Sequence, residues 1–273
     1  MADRFEYSVL ISMYWNDNLA SVVRCTESIR GQIRKSNDVV IVLDGPVKPE
    51  VDEYITIHCH DWNIVRLSEN VGLGAALSIG LPQCKNTWVM RIDADDTCVA
   101  DRSEQLIRKL VGQDSDKIAA IGSYITEKNL ETGEANLIRY PLKYCVDGRV
   151  NYFRDPIGHA SAMINRDAVA KVGGYKSCMY FEDTYLWLRL LKSGYCLVTV
   201  PEPLYEASVD SEFYYRRSGV KYALIEFKNF VKFYRKGLIT SWSFLKNIVL
   251  RPIVRLLPKP VVKKIYKTFL RSS

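Results

Sequence analysis

Residues Trp88–Asp96 read Trp-Val-Met-Arg-Ile-Asp-Ala-Asp-Asp, a short apolar run followed by three carboxylates within four positions. The run has the continuous hydrophobic character of a strand buried on both faces, as in parallel sheets. The acids then fall at that strand's carboxyl end, which is where open α/β sheets bind ligands. The stretch predicts an α/β fold with an acidic ligand-binding edge.

Reading outward, Tyr7–Met13, Val39–Leu43 and Asn63–Leu67 are further apolar, β-branched runs, and they alternate with helical spacing over Leu19–Gln32 and Gly74–Leu81. Strand and helix alternating with short joints predict a doubly wound, mainly parallel sheet. Beyond it, Ile118–Ile125, Ser161–Asn165 and Leu197–Val200 read as strands and Asp183–Ser193 as a helix stopped by Gly194. Each of the first four strands runs into polar residues: Ser12-Met13-Tyr14, Asp44-Gly45, Glu69-Asn70-Val71-Gly72 and Asp93-Ala94-Asp95-Asp96.

The loop after the first strand has no glycine, so a dinucleotide fingerprint is excluded, and Gly72-Leu73-Gly74 comes too late to supply one. Those two glycines read equally as a tight turn before a helix or as a ligand contact. Three clustered carboxylates repel one another unless a cation is present, and hard oxygen donors suit Mn²⁺ or Mg²⁺ that also binds phosphate; a solvated acidic turn is the alternative. A second pair, Glu182-Asp183, opens a helix. The helix dipole favours acids there, and such a pair can also serve as a general base. His58-Cys59-His60-Asp61 looks like a soft-metal set, but neighbours on an extended segment point to opposite faces.

These motifs, with Gly173-Gly174-Tyr175 and Trp187-Leu188-Arg189, occur in an order that resembles glycosyltransferase family 2, nearest the bacterial enzymes that build O-antigen, capsule or exopolysaccharide repeat units. The resemblance covers about residues 7–205. It implies a GT-A fold and transfer of a hexose, galactose or glucose favoured, from a UDP-sugar to a lipid-diphosphate-linked saccharide acceptor with inversion. It implies that Ser12, Tyr14, Asp44, Asn70, Gly72 and Asp93 meet the donor, with Arg216 and Arg217 on the leaving diphosphate; Arg91, inside the strand, could reach the donor too, but pairing with the nearby aspartates is its default. Asp95, with Asp93, would hold the Mn²⁺ or Mg²⁺. Asp183 would be the catalytic base, supported by Glu182, and His159 and Trp187 would lie on the acceptor side. The chain departs from the pattern at His159-Ala160, where many members carry His-Pro.

The formal charge of +7 is divided unevenly: residues 206–273 carry a net +11 and the rest a net −4. This predicts a catalytic domain over 1–205 and a basic, amphipathic helical extension over 206–273. From Phe227 onward there are twelve Lys and Arg and no acid. Trp242, Leu245, Ile248 and Val249 share one helical face, and Val262, Ile265, Tyr266 and Phe269 another. A basic amphipathic stretch of this kind reads as an anchor on an anionic membrane surface, removable without harm to the body. A helix packed on the body is the alternative, and no nucleic-acid motif is present.

No run of apolar residues is long enough to span a bilayer, and no signal peptide is visible. Seven scattered cysteines without a Cys-x-x-Cys pair argue against a disulfide framework. The expected location is cytoplasmic, peripheral on the cytoplasmic face of the inner membrane. Two rival functions stand beside the transferase: a nucleotidyltransferase making activated sugars, and a non-catalytic nucleotide- or lipid-binding module.

Overall fold

In a computed structural model the chain is described over residues 5–112, 115–210 and 218–256. Strands β1 (Ser8–Met13), β2 (Asp38–Leu43), β3 (Asn63–Arg66) and β4 (Trp88–Asp93) form a parallel half-sheet in the order β3-β2-β1-β4. The connecting helices α1 (Leu19–Arg30), α2 (Pro49–His58) and α3 (Leu73–Gly80) cover it. Because side chains alternate along a strand, β1 feeds two cores. Leu10 packs with α3 and the later helices, while Val9, Ile11 and Met13 pack with α1, α2 and α4 (Arg102–Val111).

The second half of the sheet is mixed rather than parallel. The strands are β5 (Thr97–Cys98), β6 (Ile118–Asn129), β7 (Ala135–Ile138), β8 (Lys143–Cys145), β9 (Met163–Asn165) and β10 (Cys196–Val209). β9 runs antiparallel between β4 and β6, and β6 pairs in parallel with β10. β10 continues through Pro201 and Pro203, beyond the Leu197–Val200 run, because register shifts on both sides of Pro203 remove the need for its missing N–H. Helices α5 (Arg166–Lys171) and α6 (Glu182–Lys192) close the face over Leu10.

The boundary expected after residue 205 therefore falls inside β10. The helices beyond it, α7 (Val220–Arg235) and α8 (Ser241–Leu256), are built into the body. Tyr222, Phe230 and Phe233 of α7 join the core that contains Trp187 and Leu186 of α6. Glu226, 1% exposed, receives Arg251 Nη1 at 2.8 Å and Arg255 Nε at 2.9 Å, tying α7 to α8. Ser243 Oγ and Asn247 Nδ2 of α8 both donate to the Tyr152 carbonyl. Helix α8 is thus not a detachable tail.

Only one face of α8 turns outward. Trp242, Leu245, Val249 and Ile253, spaced three and four apart, are exposed, with Trp242 at 66%, whereas Ile248 leans on the core. Val262, Ile265, Tyr266 and Phe269 lie outside the described residues. Among the described residues no helix is long and apolar enough to cross a membrane.

Cysteine usage differs from the expectation in one pair. Cys145 and Cys196 face each other in the antiparallel β8–β10 register and form a disulfide, although 51 residues separate them in sequence. The other five cysteines are free and buried.

Candidate active site

The parallel register of β1 aligns Ser12 with Val42 on one side and Asp93 on the other, so the carboxyl ends of these strands share one edge. Four polar loops leave that edge. Tyr14 is exposed beside it, and its backbone N–H donates to Asp17 Oδ2 at 2.8 Å. Asp44, almost fully buried, accepts the backbone N–H groups of Val71 at 2.7 Å and Gly72 at 3.0 Å, and Asn70 Nδ2 at 3.1 Å. Its carboxylate therefore shapes the Asn70–Gly72 turn. Gly45 follows with φ +81°, and a Cβ there would lie 2.6 Å from the Asn70 nitrogen, so the two loops touch backbone to backbone.

The acidic turn after β4 divides its labour. Asp96 is buried; Tyr205 of β10 donates its hydroxyl to Asp96 Oδ2 at 2.7 Å, and the Ser208 N–H donates to Oδ1. That same hydroxyl accepts the Asp93 backbone N–H at 3.0 Å. Asp96 is thus the internal brace of the turn, leaving half-buried Asp93 and exposed Asp95 toward the edge.

Asp17, which sequence reasoning passed over, sits against this group. Burial, then the charges of Asp95 and Asp93, push its carboxyl up to about 7. Its only signal in the sequence is a lone acid in the loop after β1. Among the described residues no three His, Cys, Asp or Glu side chains converge as a ready metal cage. A concentration of hard carboxylate oxygens without a complete cage fits Mg²⁺ or Mn²⁺, which commonly bind through one or two carboxylates and take further ligands from substrate phosphates.

Arg91 lies in β4 at 1% exposure and gives Nη2 to Asp93 Oδ1 at 2.7 Å. Of the two readings of Arg91, the pair with an aspartate is the one formed, and it fixes Asp93. Burial opposes its charge, but the adjacent Asp93 outweighs this and leaves the guanidinium firmly charged.

Arg91 also acts on His159, whose Nε2 meets the Tyr175 hydroxyl at 2.7 Å and whose ring abuts Tyr175 and Trp187 edge-on. Burial first, then Arg91, keep this histidine neutral. Trp187 is 0% exposed. Trp187 therefore belongs to the core rather than to an acceptor platform, and half-buried His159 packs against it.

Tyr175 links the two halves of the site. Burial raises its hydroxyl's pKa, and Arg91, Asp183 and Asp93 all act on it, so the β4 turn and the start of α6 face one buried phenol. Glu182 and Asp183, both half-buried, occupy the first turn of α6. Burial raises the Glu182 carboxyl, and backbone N–H groups of Glu182 and Tyr180 partly offset this. Tyr180 takes φ +65°, a left-handed conformation that bulky residues rarely adopt.

Gly74 brings α3 onto Glu182, since a Cβ there would meet Glu182 Cγ at 2.5 Å. Asp183 Oδ1 accepts the Thr184 N–H at 2.7 Å. Arg216 and Arg217 lie outside the described residues. In the His58–Asp61 segment, Asp61 pairs with Arg30 and Cys59 is buried.

The family model for glycosyl transferase family 2 matches residues 8–173. The chain belongs to this family. As a family 2 glycosyltransferase it is an enzyme, which removes both rival functions.

It is 31% identical over 277 residues to UDP-Gal:alpha-D-GlcNAc-diphosphoundecaprenol beta-1,3-galactosyltransferase of Escherichia coli, covering 98% of each chain. To the amylovoran biosynthesis glycosyltransferase AmsE of Erwinia amylovora it is 29% identical, covering 96% of this chain and 98% of that one. Among solved structures, S. aureus TarS 1-349 in complex with UDP-GlcNAc superposes with a TM-score of 0.67 at 12% identity, covering 92% of this chain and 72% of that one. The mannosyltransferase PcManGT from Pyrobaculum calidifontis, in complex with GDP-Man and Mn²⁺, gives 0.63 at 15% identity, covering 95% and 72%. These likenesses show that the glycosyltransferase has the GT-A fold.

Proposed function

We propose that this glycosyltransferase moves galactose or glucose from a UDP-sugar onto a lipid-diphosphate-linked saccharide during bacterial surface polysaccharide (O-antigen or capsule) biosynthesis. The observation that carries the reading is the family 2 match over residues 8–173, with Asp93 of the β4 turn and Asp183 of α6 both acting on the buried Tyr175. The near full-length likeness to the E. coli galactosyltransferase supports the choice of donor and acceptor.

Asp183 takes the proton of the acceptor hydroxyl as it attacks the anomeric carbon. Attack from the side opposite the departing diphosphate inverts that carbon. Glu182, pressed on Gly74, keeps the α6 terminus against the donor helix. Ser12, Tyr14 and the Asn70–Gly72 turn shaped by Asp44 border the donor pocket. Asp95 and Asp93 would hold Mn²⁺ or Mg²⁺, which when bound neutralises charge developing on the leaving diphosphate. Arg216 and Arg217 would add guanidinium contacts to it. The protein works as a peripheral component on the cytoplasmic face of the inner membrane, where the outward face of α8 and the basic C-terminus meet anionic lipid.

The test is transfer of labelled sugar from UDP-galactose and UDP-glucose to synthetic GlcNAc- and GalNAc-diphosphate-lipids. Product is expected in Mn²⁺ or Mg²⁺, none in EDTA, and none from Asp95→Ala. Full transfer in EDTA would refute the metal assignment, and an idle enzyme with every UDP-hexose would refute the donor class.

A further inference from the structure

Asp155 is a half-buried acid that the reaction described above leaves unused. It lies in the segment between β8 and β9, and α6 packs against it. Its carboxylate accepts the Thr184 hydroxyl at 2.9 Å and 3.1 Å, one distance to each oxygen, and the Tyr152 hydroxyl at 3.3 Å. Thr184 is buried and donates its backbone N–H to Asp183 Oδ1. One threonine therefore grips two carboxylates, one through each of its polar hydrogens.

We infer that Asp155 is a positioning residue for the transfer step, a second carboxylate that sets the proton affinity of Asp183 through their shared Thr184. The inference rests on Asp183 being the base. The groups that face Asp155 are few. Asp183 and Thr184 come from α6 and Tyr152 from its own segment. Arg251 comes from α8, and its guanidinium is already bonded to Glu226 of α7.

Burial, then the negative charge of Asp183, raise the Asp155 carboxyl to about 7, while Thr184, Arg251 and Tyr152 pull it down. Asp155 accepts hydrogen bonds from two hydroxyls, and both the Arg251 cation and the like charge of Asp183 act on it. The interaction is reciprocal. While Asp155 holds a proton, Asp183 sees a neutral carboxyl. Once Asp155 ionises, a second negative charge makes Asp183 a stronger base.

The sign of the pH effect follows. Transfer needs a deprotonated base, which sets a lower rise, and it increases again through the ionisation of Asp155 near neutrality. A gain of one unit in the base's proton affinity corresponds to about a three-fold faster proton transfer under ordinary Brønsted behaviour. The measurement is the single-turnover rate of sugar transfer from UDP-galactose to a GlcNAc-diphosphate-lipid in Mn²⁺, from about pH 5.5 to 8.5.

Wild type is expected to show both rises. Asp155→Asn, which keeps the shape and can still bond Thr184, should bind UDP normally, keep the lower rise and lose the upper one. Asp155→Glu should retain the upper rise. A purely structural Asp155 would lower the melting temperature of the Asn variant and leave a profile parallel to wild type, which overturns the inference but not the choice of base. If the Asn variant does not fold, a wild-type profile without the upper rise overturns it equally. Asp183→Asn that still transfers at near wild-type rate would remove the base assignment, and this inference with it.

Discussion

A methyl group at Gly74 would sit 2.5 Å from Glu182 Cγ, so the α3 terminus and the catalytic helix start are in contact with no room to spare. Gly74→Ala should gain helix propensity worth up to about 1 kcal/mol, but the overlap costs about 1–3 kcal/mol, so the melting temperature should fall modestly. It should also displace Glu182, and misplacement on that scale costs roughly 10- to 100-fold in turnover. Steady-state rates beside a thermal melt on the purified variant check this; unchanged turnover would mean that Glu182 has no part in positioning. The acids at the ends of β4 and α6 were legible in the sequence because each follows a recognisable element. Asp17, Asp155 and Tyr205 were not. Each sits in a segment whose neighbours are distant in the chain, and only the fold brings them to Asp93, Thr184 and Asp96. The pairing of Arg91 with a nearby aspartate was legible because both lie at the carboxyl end of one strand; its near-complete burial was not.

At the scale of elements, the parallel half was legible because its strands carry unbroken apolar runs, and β1, β2 and β4 appear within a residue or two of where those runs lie. The mixed half was harder. β6 extends to Asn129 and β10 to Val209 because each lines the other, and β7 and β8 are short edge pieces without apolar periodicity of their own. In α8 the periodicity was visible, but not which residues face inward, because burial is decided by Ser243 and Asn247 bonding the Tyr152 carbonyl. That choice leaves Trp242, Leu245, Val249 and Ile253 as an outward apolar stripe, with Lys246 between them. On the peripheral-membrane proposal, Leu245→Glu with Val249→Glu should abolish flotation with anionic liposomes while leaving UDP binding and the melting temperature in place. Equal flotation of variant and wild type would move the membrane contact elsewhere.

For the whole molecule, the charge division along the chain is not a structural division. The buried Glu226 with its two arginines and the hydrogen bonds from α8 to Tyr152 make the C-terminal helices a wall of the core over α6. Ending the chain after residue 238 would uncover Tyr152 and leave Glu226 a buried, uncompensated charge, a change that typically costs about 3–5 kcal/mol. The truncated protein is expected to aggregate or melt far below the full chain; a soluble, UDP-binding fragment would contradict this packing. The same wall has a consequence for biosynthesis. Chains emerge from the ribosome amino end first, and the residues that pack with α1, α2 and α4 lie largely within the first half. The helix that carries Asp183 has its counterpart more than thirty residues downstream, in α7 and α8. On the proposed roles, a nascent chain can settle its donor-side edge early but packs the helix of Asp183 only when synthesis is almost finished, so interrupted translation products should be inert.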